Sequence, residues 1–373
     1  MTGKPAEPDY LRNMKGTIYS VITGTGSYIP TRHIRNVDFL ENEFYDLDGN
    51  KLEKPNQEII DKFFEITTIE ERRYVTDNLV TSDIAFHAAA EAINSSNIDK
   101  EELDYIIVAH NFGDVKNDNN RKDIVPSLAA RVKHKLGIKN PDTVAYDILF
   151  GCPGWLQASI QADYFIKSGE ASKILVIGAD ILSRVSDPSD RDSMLYADGA
   201  GAAVFEARIS EDPIGIIAHK TRSDTLLYSK MLYMGKSFKP GDDKNDDIYL
   251  KMNGRKLYQY AIENVPKTIK ECLDKSNTHL SDIKKALIHQ ANGKMDDAIL
   301  KRLFTLYDIA EFPHNIMPMT IGWLGNSSVA TIPTLLDLIL KNNLQPHEIN
   351  KGDTLIMASV GAGMNINALI YKV

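Results

Sequence analysis

Short apolar runs rich in β-branched residues alternate with longer amphipathic segments along the whole chain, and this alternation restricts the fold more than any other sequence feature. Such runs are typical of buried strands, and apolar residues at helical spacing are typical of amphipathic helices. The pattern predicts an α/β protein with a mainly parallel sheet and helices on both faces. We predict strands at 17–24, 103–110, 143–149, 172–179, 201–207, 213–220, 284–290, 353–360 and 365–372. We predict helices at 82–96, 127–137, 154–169, 252–276 (kinked or broken near Pro266) and 330–343.

The chain is predicted to consist of two similar halves, 1–212 and 213–373, divided at Asp212-Pro213. Segment 95–110 is similar to segment 275–290: each has a polar turn and a charged lead-in, followed by a strand that reaches a histidine. Weak similarity of this kind indicates a duplicated α/β unit with the functional site where the halves meet. Chance similarity is the alternative explanation.

Composition excludes several classes of protein. A chain of 373 residues suits two domains or one double-sized unit. The net charge of −8 argues against general nucleic-acid binding. The N-terminal segment is polar, and every apolar run is shorter than the roughly 20 residues that span a bilayer, so we expect neither a signal peptide nor membrane insertion. The two cysteines, Cys152 and Cys272, lie far apart, which argues against a disulfide framework and favours a reducing cytoplasm.

Cys152 has the local sequence of a nucleophile. A predicted strand ends before Gly151, and a predicted helix begins just after Cys152, with Pro153 suited to its first turn. A thiol at a helix N-terminus meets free backbone N–H groups and the positive end of the helix dipole, which stabilise the reactive thiolate. The alternative is a buried structural cysteine.

Three other segments carry weak signals when each is considered separately. His289 ends a predicted strand, where a hydrogen-bonded structural histidine is the common case. Asn326 lies in a Gly-flanked turn, where turn and cap asparagines are frequent. Gly361-Ala362-Gly363 joins two late strands, and a tight hairpin explains it.

Taken together and in order, these segments resemble β-ketoacyl-acyl carrier protein synthase III. The similarity starts with GTGSYIP (24–30) and IEERRYV (69–75), continues from Tyr146 through Ala207, and includes the later His-Gln-Ala-Asn, Gly-Asn-Ser-Ser and Gly-Ala-Gly segments. The resemblance implies the thiolase fold, a duplicated five-layer α-β-α-β-α architecture, and a homodimer.

The resemblance also implies the role of each residue. Cys152 accepts the acyl group, and His289 and Asn326 hydrogen-bond the thioester carbonyl of the extender. Backbone N–H groups of Cys152 and Ala362 form the oxyanion hole, and Asn292 supports the site. The implied reaction is a decarboxylating Claisen condensation of the Cys-bound acyl group with malonyl-acyl carrier protein, which gives a 3-oxoacyl-acyl carrier protein for fatty acid or related lipid biosynthesis. Acyl-CoA or acyl carrier protein thioesters are the substrates; no metal or other cofactor is expected.

The segment that would grip coenzyme A departs from the family. In family members a tryptophan and an arginine hold the nucleotide, but segment 59–73 has Lys62 or Phe63 at the tryptophan position and Ile66 near the arginine. Arg191 matches a second family arginine, in the region that binds CoA or phosphopantetheine. These departures favour a starter carried by acyl carrier protein and longer than acetyl.

Basic residues after His289 match the family's carrier-protein docking positions. They are Lys294, Lys301 and Arg302, with Arg255 and Lys256 as further candidates on the same surface. Acyl carrier proteins are acidic, so a local positive patch would steer docking. The alternative is an ordinary solvated helix face.

Two polar segments, 43–57 and 111–126, are predicted as long loops, which in compact enzymes are usually functional or mobile. The depth of the acyl pocket is expected to depend on side chains of both subunits, including Val125 and Leu195.

Four other functions compete with this interpretation. One is condensation of two carrier-bound β-ketoacyl chains in dialkylresorcinol or aryl-polyene lipid biosynthesis. A degradative thiolase would use a second active-site cysteine, and Cys272 is poorly placed for that. A 3-hydroxy-3-methylglutaryl-CoA synthase would need a glutamate base such as Glu65, Glu70 or Glu71. A catalytically idle partner subunit would usually lack the nucleophile that this chain retains.

Overall fold

The computed structural model describes residues 16–119, 121–241 and 247–373. The strands are β1 (Thr17–Tyr28), β2 (Arg32–Arg35), β3 (Glu71–Tyr74), β4 (Tyr105–Ala109), β5 (Asp114–Val115), β6 (Lys122–Asp123), β7 (Val144–Ile148), β8 (Lys173–Ile181), β9 (Asp198–Ser210), β10 (Gly215–Ser223), β11 (Leu232–Gly235), β12 (Tyr249–Met252), β13 (Ile283–Ile288), β14 (Thr354–Gly361) and β15 (Asn365–Lys372). The α-helices are α1 (Asn56–Thr67), α2 (Thr81–Ser96), α3 (Leu128–Leu136), α4 (Gly154–Ser168), α5 (Thr225–Tyr228), α6 (Gly254–Ser276), α7 (Gly293–Thr305), α8 (Ile321–Leu324) and α9 (Thr331–Leu340).

Two sheets form the framework. The first has the strand order β1-β9-β8-β4-β7, and the second has the order β10-β15-β14-β13. Parallel pairing joins β8 to β4, β4 to β7, and β13 to β14, whereas β9 and β15 run antiparallel to both of their neighbours. The prediction of a mainly parallel sheet was therefore wrong. No α-helix separates β8 from β9 or β14 from β15 in this fully described part of the chain, so these strands do not return through a parallel crossover.

Helices and sheets alternate in five layers. Helices α4 and α9 lie between the two sheets, and their apolar side chains, such as Trp155 and Leu335, pack with both inner faces in one buried cluster. Helices α2 and α3 cover the outer face of the first sheet, and α6 and α7 cover the outer face of the second. This is the α-β-α-β-α thiolase architecture that the resemblance implied.

All of the predicted helices and strands are present, with bounds that lie within four residues of those predicted. Helix α6 continues through Pro266, so a break there is wrong. Pro266 is buried, and packing of the apolar face of α6 against the second sheet outweighs the roughly 3 kcal/mol cost of an interior proline. The polar segment 111–126 was predicted as a loop but contains the β5–β6 hairpin.

The strands of the first sheet all end before Asp212, and those of the second all follow Pro213. The division into halves 1–212 and 213–373 stays a prediction that agrees with these bounds. Among the described residues, no helix combines the length and the apolarity that a membrane crossing requires.

Candidate active site

A single cavity of about 1510 Å³ brings together the residues that the sequence indicated for catalysis. Cys152, His289, Asn292, Asn326 and Ala362 all line it, although they come from both halves of the chain. Part of the wall is apolar. It includes Phe63, Phe112, Leu182, Leu195, Leu250 and Met252.

Cys152 lies in a tight turn between β7 and the first turn of α4. Gly151 adopts φ +68°, and a Cβ on it would lie 2.6 Å from the backbone nitrogen of Ala362. A Cβ on Gly361 would likewise lie 2.5 Å from the backbone nitrogen of Cys152. Two glycines therefore allow the backbone at Cys152 and the backbone at Ala362 to pack closely against each other, which an oxyanion hole formed by their N–H groups would require.

The thiol of Cys152 is not ionised at rest. Burial raises its pKa to about 11, and the hydrogen bonds from the Ser328 hydroxyl and from its own backbone amide oppose this only in part. The expected stabilisation of the thiolate at the helix N-terminus does not prevail, because desolvation of the charged sulfur is larger. Any reaction at this sulfur as a thiolate would therefore require loss of a proton.

His289 is held at the end of β13, and its backbone N–H donates to the carbonyl of Ala358 at 2.8 Å. Burial lowers the pKa of His289 to about 4, so the ring is neutral at physiological pH. Its Nδ1 has no hydrogen-bond partner among the described residues. A neutral imidazole can donate one hydrogen bond, from whichever nitrogen carries the proton.

Asn326 is fixed from both sides. Its backbone N–H donates to Leu195 at 3.0 Å, and its carbonyl accepts from Ala197 at 2.9 Å. Its side-chain Oδ1 accepts from the backbone N–H of Ser328 at 2.9 Å, which leaves the Nδ2 protons available for the cavity. Asn326 can therefore donate to a carbonyl or enolate oxygen without reorganisation.

Asn292 and its neighbour Gln290 support the site. Asn292 caps α7, because its Oδ1 accepts from the backbone N–H of Met295 at 3.1 Å. Gln290 was not identified from the sequence as functional. Its Oε1 accepts from the backbone N–H groups of Thr320 at 2.7 Å and Ile321 at 2.9 Å, and so fixes the segment that leads to Asn326.

Three further residues next to Cys152 were also missed. The Ser328 hydroxyl donates to the Cys152 sulfur at 3.5 Å. Asn111 Nδ2 lies 3.2 Å from the Ser328 hydroxyl and 2.7 Å from Asp180 Oδ2. Ser328 belongs to the Gly-Asn-Ser-Ser motif and could have been noticed there. Asp180 lies at the end of β8 and Asn111 follows β4, and only the folded chain brings them to this position.

The basic residues proposed for docking lie at the surface. Lys294, Lys301 and Arg302 are exposed on α7, and Lys294 Nζ lies 3.6 Å from Glu65 Oε1 on α1. Arg191 and Arg255 line the cavity and are exposed, as is Lys256 beside Arg255.

The positions at which the family holds coenzyme A, Lys62, Phe63 and Ile66 in this chain, line the same cavity. Leu195 and Val125 were the two residues expected to affect the depth of the acyl pocket. Leu195 lines the cavity. Val125 is 81% exposed, and the cavity of the single chain does not reach it.

Comparisons with known proteins agree with this geometry. The family model for 3-oxoacyl-[acyl-carrier-protein] synthase III matches residues 146–225, and the model for its C-terminal region matches residues 273–373. The chain is 33% identical over 356 residues to β-ketoacyl-[acyl-carrier-protein] synthase III 1 of Vibrio cholerae, covering 95% of this chain and 100% of that one. It is 32% identical over 355 residues to the synthase III of Ehrlichia canis, covering 95% and 99%.

Solved structures give the same result. The crystal structure of 3-oxoacyl-[acyl-carrier-protein] synthase III from Aquifex aeolicus matches with a TM-score of 0.77 and 29% identity, over 95% of this chain and 100% of that one. Similarity of sequence and structure over nearly the whole length, with the cysteine, histidine and asparagine in one cavity, leads to one assignment. The chain belongs to the 3-oxoacyl-[acyl-carrier-protein] synthase III family of condensing acyltransferases.

Proposed function

We propose that the chain transfers an acyl group to Cys152 and condenses it, with loss of CO₂, with malonyl-acyl carrier protein to give a 3-oxoacyl-acyl carrier protein. The observation that carries this proposal is the convergence of Cys152, His289 and Asn326 on one cavity, beside the close approach of Gly151 to Ala362. Each group has a distinct task in a two-step Claisen reaction.

In the first step the sulfur of Cys152 attacks the thioester carbonyl of the donor, and negative charge develops on the carbonyl oxygen. The backbone N–H groups of Cys152 and Ala362 would donate to this oxygen. One such donor is commonly worth about 3–4 kcal/mol of transition-state stabilisation. The thiol of the donor leaves, and the acyl group stays on Cys152.

In the second step the malonyl group loses CO₂, and the resulting enolate attacks the acyl-cysteine. No strong base is needed, because decarboxylation supplies the electron pair. His289 and Asn326 would donate to the enolate oxygen, and the lowered pKa of His289 keeps the ring neutral and able to do so. The reaction involves no net oxidation or reduction, so we propose no redox cofactor and no metal.

We propose a starter that is longer than acetyl and delivered by acyl carrier protein. The cavity of about 1510 Å³ exceeds the roughly 300–1,000 Å³ of typical small-molecule sites, and its wall is apolar near Leu182 and Leu250. Glu58, Asp61 and Glu65 on α1 line the outer part. Glu58 and Glu65 are paired with Lys54 and Lys62, however, so the case against coenzyme A rests on the missing tryptophan and arginine in 59–73.

We propose that the carrier protein docks on the exposed face of α7. Lys294, Lys301 and Arg302 would attract an acidic partner and guide the phosphopantetheine arm past Arg191 into the cavity. Charge reversal, Lys301→Glu, should raise KM for carrier-bound substrates by about tenfold, and added salt should weaken the effect. A matched reversal at Lys284, exposed at the opposite end of β13, should change KM little.

We propose that the chain acts as a cytoplasmic homodimer. Strand β7 is one of the two edges of the first sheet, and apolar Leu149 just beyond it is 64% exposed. Edge strands with exposed apolar side chains invite pairing with a second copy. Light scattering should give the dimer mass for wild type and a monomer for Leu149→Asp. The control Ile209→Asp, near the other edge of this sheet, should stay dimeric.

The free cysteines suit a reducing cytoplasm.

A product assay tests the proposed reaction. The enzyme is incubated with acyl carrier proteins bearing acyl groups of several lengths, or with the matching acyl-CoAs, and with malonyl-acyl carrier protein, and the products are identified by mass. We expect a 3-oxoacyl-acyl carrier protein, formed faster from carrier-bound donors. Efficient turnover of acetyl-CoA would refute the proposed starter. A second incubation, in which a 3-oxoacyl-acyl carrier protein replaces malonyl-acyl carrier protein, tests the alternative condensation of two β-ketoacyl chains. If that alternative is right, a condensation product forms in this second incubation and none forms with malonyl-acyl carrier protein.

A further inference from the structure

A chain of hydrogen bonds leads from the nucleophile to a buried carboxylate that the reaction described above does not use. The Ser328 hydroxyl lies 3.5 Å from the Cys152 sulfur and within hydrogen-bonding reach of the Asp180 carboxyl. Asp180 is 1% exposed, at the end of β8. The carboxyl oxygens of Asp180 accept hydrogen bonds from Asn111, one from the backbone N–H at 2.9 Å and one from the side-chain Nδ2 at 2.7 Å.

Asn111 also fixes the serine. Its Nδ2 donates to the Ser328 hydroxyl at 3.2 Å, so the proton of the serine O–H is free to point to the cysteine or to the aspartate. Ser328 has φ +55°, a conformation that costs a non-glycine residue roughly 1 kcal/mol. Strain of this kind persists where the surrounding structure imposes it, and here it aims the hydroxyl at Cys152.

We propose that Ser328 and Asp180 form a proton relay that takes the proton of Cys152 during acylation and returns it after condensation. This inference rests on the proposed function of Cys152 as acyl acceptor. It adds Ser328 and Asp180 to the site and assigns the buried Asp180 carboxylate the role of proton acceptor.

Each proton transfer in the relay is balanced. As the sulfur attacks the donor thioester, the S–H proton moves to the Ser328 oxygen, while the serine O–H proton moves to the Asp180 carboxylate. The departing thiolate of the donor takes a proton from water. In the condensation step the tetrahedral intermediate expels the Cys152 thiolate, and the proton on Asp180 returns through Ser328. One turnover therefore consumes one proton from solvent and leaves the relay in its starting state.

The chemistry of the neighbouring groups favours this route. With the pKa of Cys152 at about 11, only about one thiol in 10⁴ is ionised at pH 7, so acylation needs a base. The lowered pKa of His289 makes it a weak base. Burial raises the pKa of Asp180, which makes this carboxylate a stronger base than an exposed one.

Two other titratable groups face the relay, and neither competes for the proton. His110 lies near Asp180, but its Nε2 is 2.9 Å from Asp147 Oδ2 and its Nδ1 accepts from the backbone N–H of Gly113 at 3.0 Å. Tyr196 faces Cys152, and burial raises the pKa of its phenol well above the usual value, so it stays neutral.

The test measures the rate of Cys152 acylation by an acyl-carrier protein as a function of pH, by quenched-flow intact mass spectrometry. Wild type should show a nearly constant rate between about pH 7 and 9. Ser328→Ala should be slower by about 10²-fold at pH 7, and its rate should rise about tenfold per pH unit, as expected when only spontaneous ionisation supplies the thiolate. Asp180→Asn should behave in the same way.

The neighbouring Ser327 provides a matched control. Its hydroxyl lies 3.5 Å from Thr331 Oγ1, and Ser327→Ala should keep the wild-type profile. If Asp180→Asn fails to fold, Ser328→Ala alone decides. A wild-type rate that rises tenfold per pH unit, or a Ser328→Ala rate that is unchanged or reduced equally at every pH, would overturn the relay.

Alkylation of Cys152 by iodoacetamide over the same pH range separates this inference from the proposed function. A wild type that no acyl donor acylates would refute the function. The alkylation profiles of wild type, Ser328→Ala and Ser327→Ala would still support or overturn the relay.

Discussion

The close approach of Gly151 to Ala362 makes a quantitative prediction for the substitution Gly151→Ala. The φ of +68° costs an alanine about 1–2 kcal/mol in the free energy of unfolding. In addition, the new Cβ would lie 2.6 Å from the Ala362 nitrogen and 3.0 Å from its carbonyl oxygen, distances that force the backbone to move. The displaced N–H would no longer point at the developing oxyanion.

Loss of one oxyanion donor costs about 3–4 kcal/mol, so acylation of Cys152 should slow by about 10²–10³-fold. The control is Gly169→Ala at the other end of the same helix, α4. Gly169 has φ +81°, and a Cβ there would meet nothing within 4 Å. This control should lose similar stability and keep the wild-type acylation rate.

The assay combines single-turnover acylation, followed by intact mass, with chemical denaturation of both variants. A folded Gly151→Ala protein that acylates at the wild-type rate would refute the role assigned to the Ala362 amide. A Gly169→Ala protein that is equally slow would show that loss of stability, rather than geometry, explains the defect.

The remaining predictions concern one protonation state and one buried ion pair. With the pKa of His289 at about 4, decarboxylation of malonyl-acyl carrier protein should be constant from about pH 9 to 5 and fall only below that; a decline centred near pH 6.5 would contradict a buried neutral ring. The pKa of His289 is lower in the folded chain than the value of about 6.5 in the unfolded chain, so the unfolded state binds a proton first as the pH falls. The free energy of unfolding, measured by urea titration, should therefore decrease as the pH falls from about 6.5 towards 4. Lys251→Met leaves the buried Asp187 and Asp190 unpaired and should cost about 3–5 kcal/mol in denaturation. The half-buried control Lys270→Met, which loses its pair with Asp274 on α6 and its contact with the Tyr307 ring, should cost at most about 1 kcal/mol, and equal losses would contradict the assignment.

Much of the fold could be predicted from the sequence, because apolar periodicity reports which faces are buried. Strand β8 and helix α4 lie within a few residues of their predicted positions for this reason. Strand direction could not be read in the same way. Whether β9 returns parallel or antiparallel depends on the path of 182–197, which carries no periodic signal.

The same distinction between local pattern and tertiary structure applies to the residues of the candidate active site. Cys152, His289 and Asn326 stand in short motifs whose order can be recognised, and the structure brings them to one cavity. The protonation of the Cys152 thiol could not be predicted, because local sequence shows the helix N-terminus but not the burial that raises the pKa. Asp180 was missed because it reaches Ser328 only through tertiary packing.

The central claim is that Cys152 carries the acyl group, and intact mass spectrometry tests it most directly. Wild type, Cys152→Ala and Cys272→Ala are each mixed with an acyl-carrier protein, and the mass of the protein is measured before and after addition of malonyl-acyl carrier protein. We predict one acyl adduct on wild type and on Cys272→Ala, which disappears when the extender is added, and no adduct on Cys152→Ala. An adduct that persists on Cys152→Ala, or one that the extender does not discharge, would contradict the account.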